Sequence, residues 1–255
     1  MARAVGPAGP VGPVELLATW EAGLAGHAGD RPLLLHRAAR PGAGTDELLS
    51  VPVGEREADL FALRRALFGE RMQVRVECGA CGEAMEFDLD AGALASRAVP
   101  SEAPLRVEVD DWAVEFRLPT VADLAAAGRT DGPVEARRLL VTRCTVRALR
   151  DGKPVLPGQL ADLLPERVER RIAERAAEAD PTADVTLNVS CPECGDATRA
   201  ELDIASYLWT ELDTWARDLM LDVHLLATAY GWSEPEILAL SPLRRRYYLE
   251  LCADA

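Results

Sequence analysis

The hydrophobic and polar positions of the chain follow two different periods. Apolar residues recur at steps of three and four from Val14 and again over 60–68, which predicts amphipathic helices, the second one preceded by a turn at 54–56. The segments 74–90 and 186–204 instead alternate apolar and polar residues with a period of two. Each of these segments is therefore predicted to form two strands joined by a tight turn.

The C-terminal region is the most apolar part of the chain. Apolar residues fall at steps of three and four through 205–230, which predicts one long helix whose apolar stripe is wider than a surface helix needs. Gly231 is placed to end this helix, Ser233 to begin a short one, and Ser241 precedes a last one. Either the stripe is buried in its own domain, or a part of it docks a partner.

The chain between the two hairpin segments predicts both kinds of structure. Two strands are predicted to turn at 110–111, and a helix follows that begins with Thr120 and has Asp123 three residues later, as in a capping box. We therefore expect the segment 94–184 to be a mixed insertion of strands and helices.

Both predicted hairpins turn at the same motif, Cys-x-x-Cys-Gly. Two residues between the cysteines let both sulfurs reach one ion, and the glycine after them can adopt a positive φ. One motif supplies two ligands whereas structural zinc takes four in a tetrahedron, so we interpret the two motifs as one shared Zn²⁺ site. The predicted ligands are Cys78, Cys81, Cys191 and Cys194. The long insertion is compatible with this site, because the entropy cost of loop closure grows slowly with length.

These patterns together predict an α+β fold. A zinc-ribbon-like pair of Cys-x-x-Cys β-hairpins encloses a mixed insertion and is followed by a helical C-terminal region. The predicted divisions are a flexible leader rich in glycine and proline (1–13), an N-terminal helical region (14–69), a split zinc-ribbon-like module (70–206) with its insertion (94–184), and the C-terminal helical region (207–255).

Two other interpretations of the cysteines stay open. In the first, Cys78 and Cys81 are a redox pair, because a Cys-x-x-Cys at the start of a helix has a lowered thiol pKa and exchanges disulfides. The residues after Cys81, however, alternate like a strand. In the second, both pairs are structural disulfides, which the expected reducing compartment disfavours. We interpret Cys144 and Cys252 as ordinary small residues.

Charge and composition narrow the classes of partner and activity. The formal net charge of −14, from 42 acidic and 28 basic residues, repels phosphate and anionic lipid, so we expect neither nucleic acid nor membrane as a partner. No secretory or transit pattern is recognisable, and we expect a cytoplasmic protein. His27, His36 and His224 form no grouping with a carboxylate on one element, so no catalytic residues are predicted and we do not expect an enzyme.

Candidate partner-binding residues come from the C-terminal region. The last helix carries the densest basic cluster of an acidic chain, beside two tyrosines, and this combination suits an acidic partner surface. The alternative is a solvated helix face that balances Glu250 and Asp254. The candidates are Trp209, Trp215, Trp232, Arg244, Arg245, Arg246 and Tyr247.

The C-terminal sequence GWSEPEILALSPLRRRYYLE, together with SCPECG and DIASYLWTELDTWA before it, resembles the T-even-type phage baseplate hub assembly chaperone family, as found in phage-tail-like contractile injection systems. FRLPTVADLAAA at 116–127 is similar to the middle segment of that family. The resemblance covers most of 48–251, and the last fifty or so residues carry its most specific part.

The resemblance implies a non-enzymatic assembly or scaffolding role, with baseplate, hub or spike proteins of a contractile tail as partners. It supplies no catalytic residues, and its Cys-x-x-Cys pairs correspond to the four cysteines named above. Two other classes of function remain alternatives. One is a zinc-ribbon adaptor for nucleic acid or protein, and the other is a thiol-disulfide oxidoreductase that uses Cys78 and Cys81.

Overall fold

The structure is a computed structural model that describes residues 11–94 and 104–253. Its helices in chain order are α1 (Pro13–Ala25), α2 (Arg31–Ala39), α3 (Thr45–Ser50), α4 (Val53–Phe68), α5 (Ala91–Leu94), α6 (Val121–Ala127), α7 (Pro133–Cys144), α8 (Pro157–Leu163), α9 (Glu166–Ala179), α10 (Ile204–Tyr230), α11 (Glu234–Leu238) and α12 (Pro242–Ala253). Its strands are β1 (Arg71–Glu77), β2 (Ala84–Asp90), β3 (Leu105–Val109), β4 (Trp112–Phe116), β5 (Thr145–Arg150), β6 (Lys153–Pro154), β7 (Thr186–Ser190) and β8 (Ala197–Glu201). Residues 1–10 of the predicted leader lie outside the described residues.

The largest core lies where α1, α2 and α4 pack against the first half of α10. Leu60 and Phe61 of α4 and Leu208 of α10 are fully buried there. Gly23 permits the close approach of α1 to α10, because a Cβ at this position would lie 2.3 Å from the ring of Trp209. The apolar stripe of α10 is therefore buried within its own chain along this half of the helix.

The segment between the hairpins has a second core. Its four strands form an antiparallel sheet in the order β3-β4-β5-β6, and α8 and α9 pack against it. Trp112, Val114 and Phe116 of β4 point to these helices, because side chains two residues apart on a strand share a face. They pack with Leu160 and Val168, and the predicted mixture of strands and helices is confirmed here.

The insertion contacts the N-terminal helices at the first turn of α4. Gly54 donates its backbone N–H to Oδ2 of the buried Asp180, just after α9, at 2.9 Å. Beside it, the N–H of Val53 donates to the carbonyl oxygen of Pro119 at 3.0 Å. The predicted turn at 54–56 was therefore wrong. These residues begin the helix, because groups from a distant part of the chain satisfy its first N–H donors.

Asp123 joins three segments of the insertion through its buried carboxylate. Arg117 donates to it at 2.5 Å, Arg143 at 2.7 Å and the hydroxyl of Thr120 at 2.9 Å. The predicted capping box of Thr120 and Asp123 is confirmed. Burial raises the pKa of the Asp123 carboxyl, but the hydrogen bonds from Arg117, Thr120 and Arg143 outweigh burial and hold this pKa well below its usual range.

The C-terminal helices follow the predicted pattern. Asp203 caps the start of α10 by accepting from two backbone N–H groups, and Gly231, with a φ of +69°, ends the helix. α11 and α12 then pack back on the second half of α10, where Arg245 donates to Asp222 at 3.2 Å. None of the helices in 11–94 and 104–253 is long and apolar enough to cross a membrane.

Both predicted hairpins and the α+β class are confirmed. β1 pairs with β2 and β7 with β8, each pair antiparallel and each joined by a cysteine turn. The first cysteine turn is the segment 78–82 and the second is 191–195. The second hairpin leads directly into α10, so the hairpins lie next to the main core that the first half of α10 helps to form.

Gly54→Ala should destabilise the protein. The added Cβ would lie 1.7 Å from Oδ1 of Asp180, so the carboxylate must leave the helix start and lose its buried hydrogen bond. We expect a loss of about 2 kcal/mol in the free energy of unfolding, measured by urea denaturation. Gly158→Ala is the matched control, since Gly158 is also the second residue of a helix and has open space around it. Equal effects of the two substitutions would contradict the proposed clash.

Asp123→Asn should cost about 2 to 3 kcal/mol of stability at neutral pH, because it removes the charge that Arg117 and Arg143 surround. The folded-state pKa of Asp123 is depressed, so its contribution is present above the unfolded-state pKa of about 3.9 and is lost as the pH falls further. Unfolding free energies of both proteins between neutral and acidic pH measure this. The difference should shrink below about pH 4, and a constant difference would exclude the electrostatic explanation.

Candidate metal centre

The two cysteine turns bring four sulfur atoms together at one end of the hairpins. The sulfurs of Cys78, Cys81, Cys191 and Cys194 all lie within 4.8 Å of one another. Cys78 and Cys194 are 3.7 Å apart, and Cys81 and Cys191 are 3.6 Å apart. A tetrahedron with zinc–sulfur bonds of about 2.3 Å has edges of about 3.8 Å. Two of the sulfur pairs are therefore close to this edge length, and the cluster of four is compatible with one metal ion.

The backbone of the two turns is the same. In the first turn the N–H of Cys78 donates to the carbonyl of Glu83 at 2.8 Å, and the N–H of Gly82 to the carbonyl of Cys78 at 2.9 Å. The second turn repeats both bonds, at 2.8 and 2.9 Å, around Cys191 and Gly195. Both glycines have a φ of +76°, which a residue with a Cβ adopts only at a cost. The motif Cys-x-x-Cys-Gly thus fixes the direction of all four sulfurs.

The centre has a buried side and an exposed side. The first cysteine of each turn, Cys78 or Cys191, is 3% exposed and packs among Val74, Val76 and Met85. The second cysteine of each turn is exposed to solvent. The sulfurs therefore cap a small apolar cluster between the hairpins, at the place where two separate two-stranded sheets meet.

Backbone N–H groups and neighbouring sulfurs shift the pKa values of the clustered thiols in opposite directions. Backbone N–H groups of Cys81 and Ala80 point at the Cys78 sulfur and lower the pKa of this thiol to about 6. A backbone N–H of Glu83 lowers the pKa of Cys81, but hydrogen bonding with the neighbouring thiols, that of Cys194 first, outweighs it and raises that pKa to about 12. Four thiolates at this distance would need a cation between them, so the arrangement is compatible with a metal ion.

The other two interpretations of the cysteines find less support in this geometry. A disulfide has a sulfur–sulfur distance of about 2.05 Å, and all six cysteines are free. The strand β2 follows Cys81 closely, so the helix that activates a redox cysteine is not at this place. Cys144 and Cys252 lie outside the cluster.

The predicted partner-binding residues divide into two groups. Trp209 is buried in the main core, where it contacts Gly23 and lies 4.5 Å from the guanidinium of Arg31. Trp215 is half-buried against the same core. The structure gives these two tryptophans a packing role.

The other candidates lie on the C-terminal helices. Trp232 stacks on Tyr230 at 4.6 Å and meets the ring of Tyr248 at 4.8 Å, which fixes α12 against the end of α10. Arg245 is held by Asp222. Arg244, Arg246 and Tyr247 are exposed, and Arg246 pairs with Glu250 at 3.0 Å.

The outer face of α12 carries an apolar stripe, of which only Tyr247 was among the predicted partner-binding residues. Leu243, Tyr247 and Leu251 are 56%, 61% and 61% exposed, and we call these three residues the α12 stripe. Their spacing of four residues places them on one side of the helix, and Arg245, on the opposite side, contacts α10. The four-residue spacing of these apolar positions is visible in the sequence, but three arginines between 243 and 247 make the segment look basic and not apolar.

A family described as T4 bacteriophage base plate protein has a sequence model that matches residues 41–206. This match spans more than half of the 255 residues. The chain belongs to the T4 bacteriophage base plate protein family. The base plate match contains both cysteine turns and the whole insertion, and it ends where α10 begins.

The resemblance to a phage baseplate family is thus confirmed. Its most specific part was the sequence of the last fifty or so residues, whereas the family match covers 41–206. Searches of curated proteins and of solved structures gave no match to the chain.

Proposed function

We propose that this protein is a non-enzymatic assembly or scaffolding protein, chaperone-like in its role, for the baseplate of a contractile phage tail or a phage-tail-like injection system. The observation that carries the proposal is the base plate family match over 41–206. Its partners would be other baseplate, hub or spike proteins, met in the cytoplasm while the tail is assembled.

We further propose that the metal centre holds one structural Zn²⁺. A cluster of four cysteine sulfurs favours zinc, and four protein ligands would leave no open position, which is typical of a structural site. The ion would neutralise the crowded thiolates and tie the two hairpins together. Cys78 and Cys191 would hold it from the buried side, Cys81 and Cys194 from the exposed side.

The docking surface that we propose is the α12 stripe with its flanking Arg244 and Arg246. Large exposed apolar side chains on one helix face are typical of an interaction site. The arginines add positive charge to a chain with a net charge of −14, so an acidic partner that also offers an apolar groove suits this face best.

The nucleic-acid alternative meets an acidic surface around the cysteine turns. Glu77, Glu83, Glu86 and Glu193 are exposed around the cysteine turns, and this charge repels phosphate. The oxidoreductase alternative makes a direct contrary prediction, since it requires Cys78 and Cys81 to reduce a disulfide substrate such as insulin.

Cys191→Ser should remove the bound zinc and destabilise the fold. Wild-type protein should contain one zinc per chain by elemental mass spectrometry, and the variant close to none. Because the binding energy of a structural zinc is also folding energy, we expect the variant to melt about 10 °C lower.

Cys252→Ser is the control for this experiment, because Cys252 lies outside the cluster. It should keep the zinc and the melting temperature. Full zinc content in the Cys191→Ser protein would show that the four cysteines do not share one ion.

Deletion of the gene should abolish sheathed particles, counted by electron microscopy. Wild-type protein supplied in trans should restore them. Leu243→Ser/Tyr247→Ser should restore them about tenfold less well or worse, since truncation of central interface residues commonly costs roughly 2 kcal/mol or more.

Leu156→Ser is the matched control, because Leu156 is 64% exposed but lies away from α12. It should restore particle number fully. Contracting particles from the deletion strain would refute the assembly role. Full rescue by the stripe variant would refute only the docking surface.

A further inference from the structure

One buried hydroxyl beside the metal centre lacks a partner. Among the described residues, Thr198 is one of three whose buried side-chain nitrogen or oxygen atom makes no hydrogen bond. A buried polar group without a partner costs about 1 to 3 kcal/mol. Such a cost at a metal centre calls for an explanation in terms of that centre.

Thr198 lies on the side of β8 that faces the sulfurs. It is directly opposite Val189 in the second hairpin, and Ala200 is two residues further along the strand. Val189 and Ala200 both pack against the cluster that contains Cys78 and Cys191. Side chains in these positions share one face of a hairpin, so Thr198 belongs to the same face. The hydroxyl is close enough to the Cys78 sulfur to act on it, but the two atoms do not meet hydrogen-bond geometry.

The corresponding position of the first hairpin carries no hydroxyl. The carbonyls of Glu83 and Asp196 accept the N–H of the first cysteine in their respective turns, so these residues correspond. Two residues after them stand Met85 in the first hairpin and Thr198 in the second. Met85 is 6% exposed and fills the apolar cluster. The polar group is therefore specific to the second hairpin.

We propose that Thr198 is a positioning residue of the metal centre, and that its hydroxyl donates a hydrogen bond to the Cys78 thiolate when this sulfur binds the ion. The inference rests on the proposed zinc site and adds a residue that is not a ligand. A donor to a metal-bound thiolate stabilises the charged sulfur and fixes its direction. It would satisfy the hydroxyl that otherwise has no partner.

The test compares variants with and without the hydroxyl. Thr198→Val keeps the shape of the side chain and removes the donor, whereas Thr198→Ser keeps the donor. The readout is the zinc dissociation constant from competition with a chelator of known affinity at fixed pH. We expect Thr198→Val to bind zinc about tenfold more weakly, as is typical for the loss of an outer hydrogen bond. Thr198→Ser should match the wild type.

Two further measurements separate a role at the sulfur from a role in packing. In cobalt-substituted protein, the sulfur-to-cobalt charge-transfer band should shift in Thr198→Val. The band should not shift in Met85→Leu, which alters packing at the corresponding position of the other hairpin. If Thr198→Val does not fold, Thr198→Ala provides the donor-free variant.

The possible results distinguish this inference from the zinc proposal. A wild-type protein without zinc overturns both. A wild-type protein with one zinc, and a Thr198→Val protein of equal affinity and unchanged cobalt band, overturns only the role of Thr198. Equal weakening by valine and serine would also overturn it, because the serine variant retains the hydroxyl.

Discussion

The convergence of four sulfur atoms from two hairpins is the constraint on which the rest of the structure depends. Cys81 and Cys191 are 110 residues apart in sequence, and their sulfurs are 3.6 Å apart. The chain between them must therefore leave the centre and return to it. It does so by forming a sheet with its own core, and the entropy cost of closing so long a loop is only modestly larger than for a short one. The insertion and the centre can thus fold with little conflict.

The second hairpin also determines where the long helix α10 begins. The second hairpin passes within a few residues into α10, whose start is capped by Asp203. The first half of α10 is buried against α1, α2 and α4, and the second half carries α11 and α12. A helix of 27 residues is about 40 Å long, so α10 connects the metal centre and the main core to the exposed α12 stripe. In the proposed function, one end of this helix gives the protein its rigidity and the other meets the partner.

Local chemistry explains which parts of this arrangement the sequence could predict. The hairpins, the cysteine turns and the ends of α10 follow from a period of two, from a glycine after Cys-x-x-Cys and from capping residues, all signals within a few positions. The predicted turn at 54–56 was wrong because the backbone N–H of Gly54, at the start of α4, donates to Asp180. No local pattern shows a partner more than a hundred residues away. Trp209 lies on a face of α10 adjacent to the main apolar stripe, and the sequence does not show that packing against Gly23 buries it. Thr198 became notable only when register and burial placed its hydroxyl beside the sulfurs.

The central claim is that one zinc ion joins the two cysteine turns, and X-ray absorption at the zinc edge of the purified protein tests it most directly. The account predicts a first coordination sphere of four sulfurs at about 2.3 Å, with no nitrogen or oxygen neighbour. A mixed sphere of sulfur with nitrogen or oxygen, or a protein without zinc, would contradict it. The two hairpins would then need another explanation for the close approach of their cysteines.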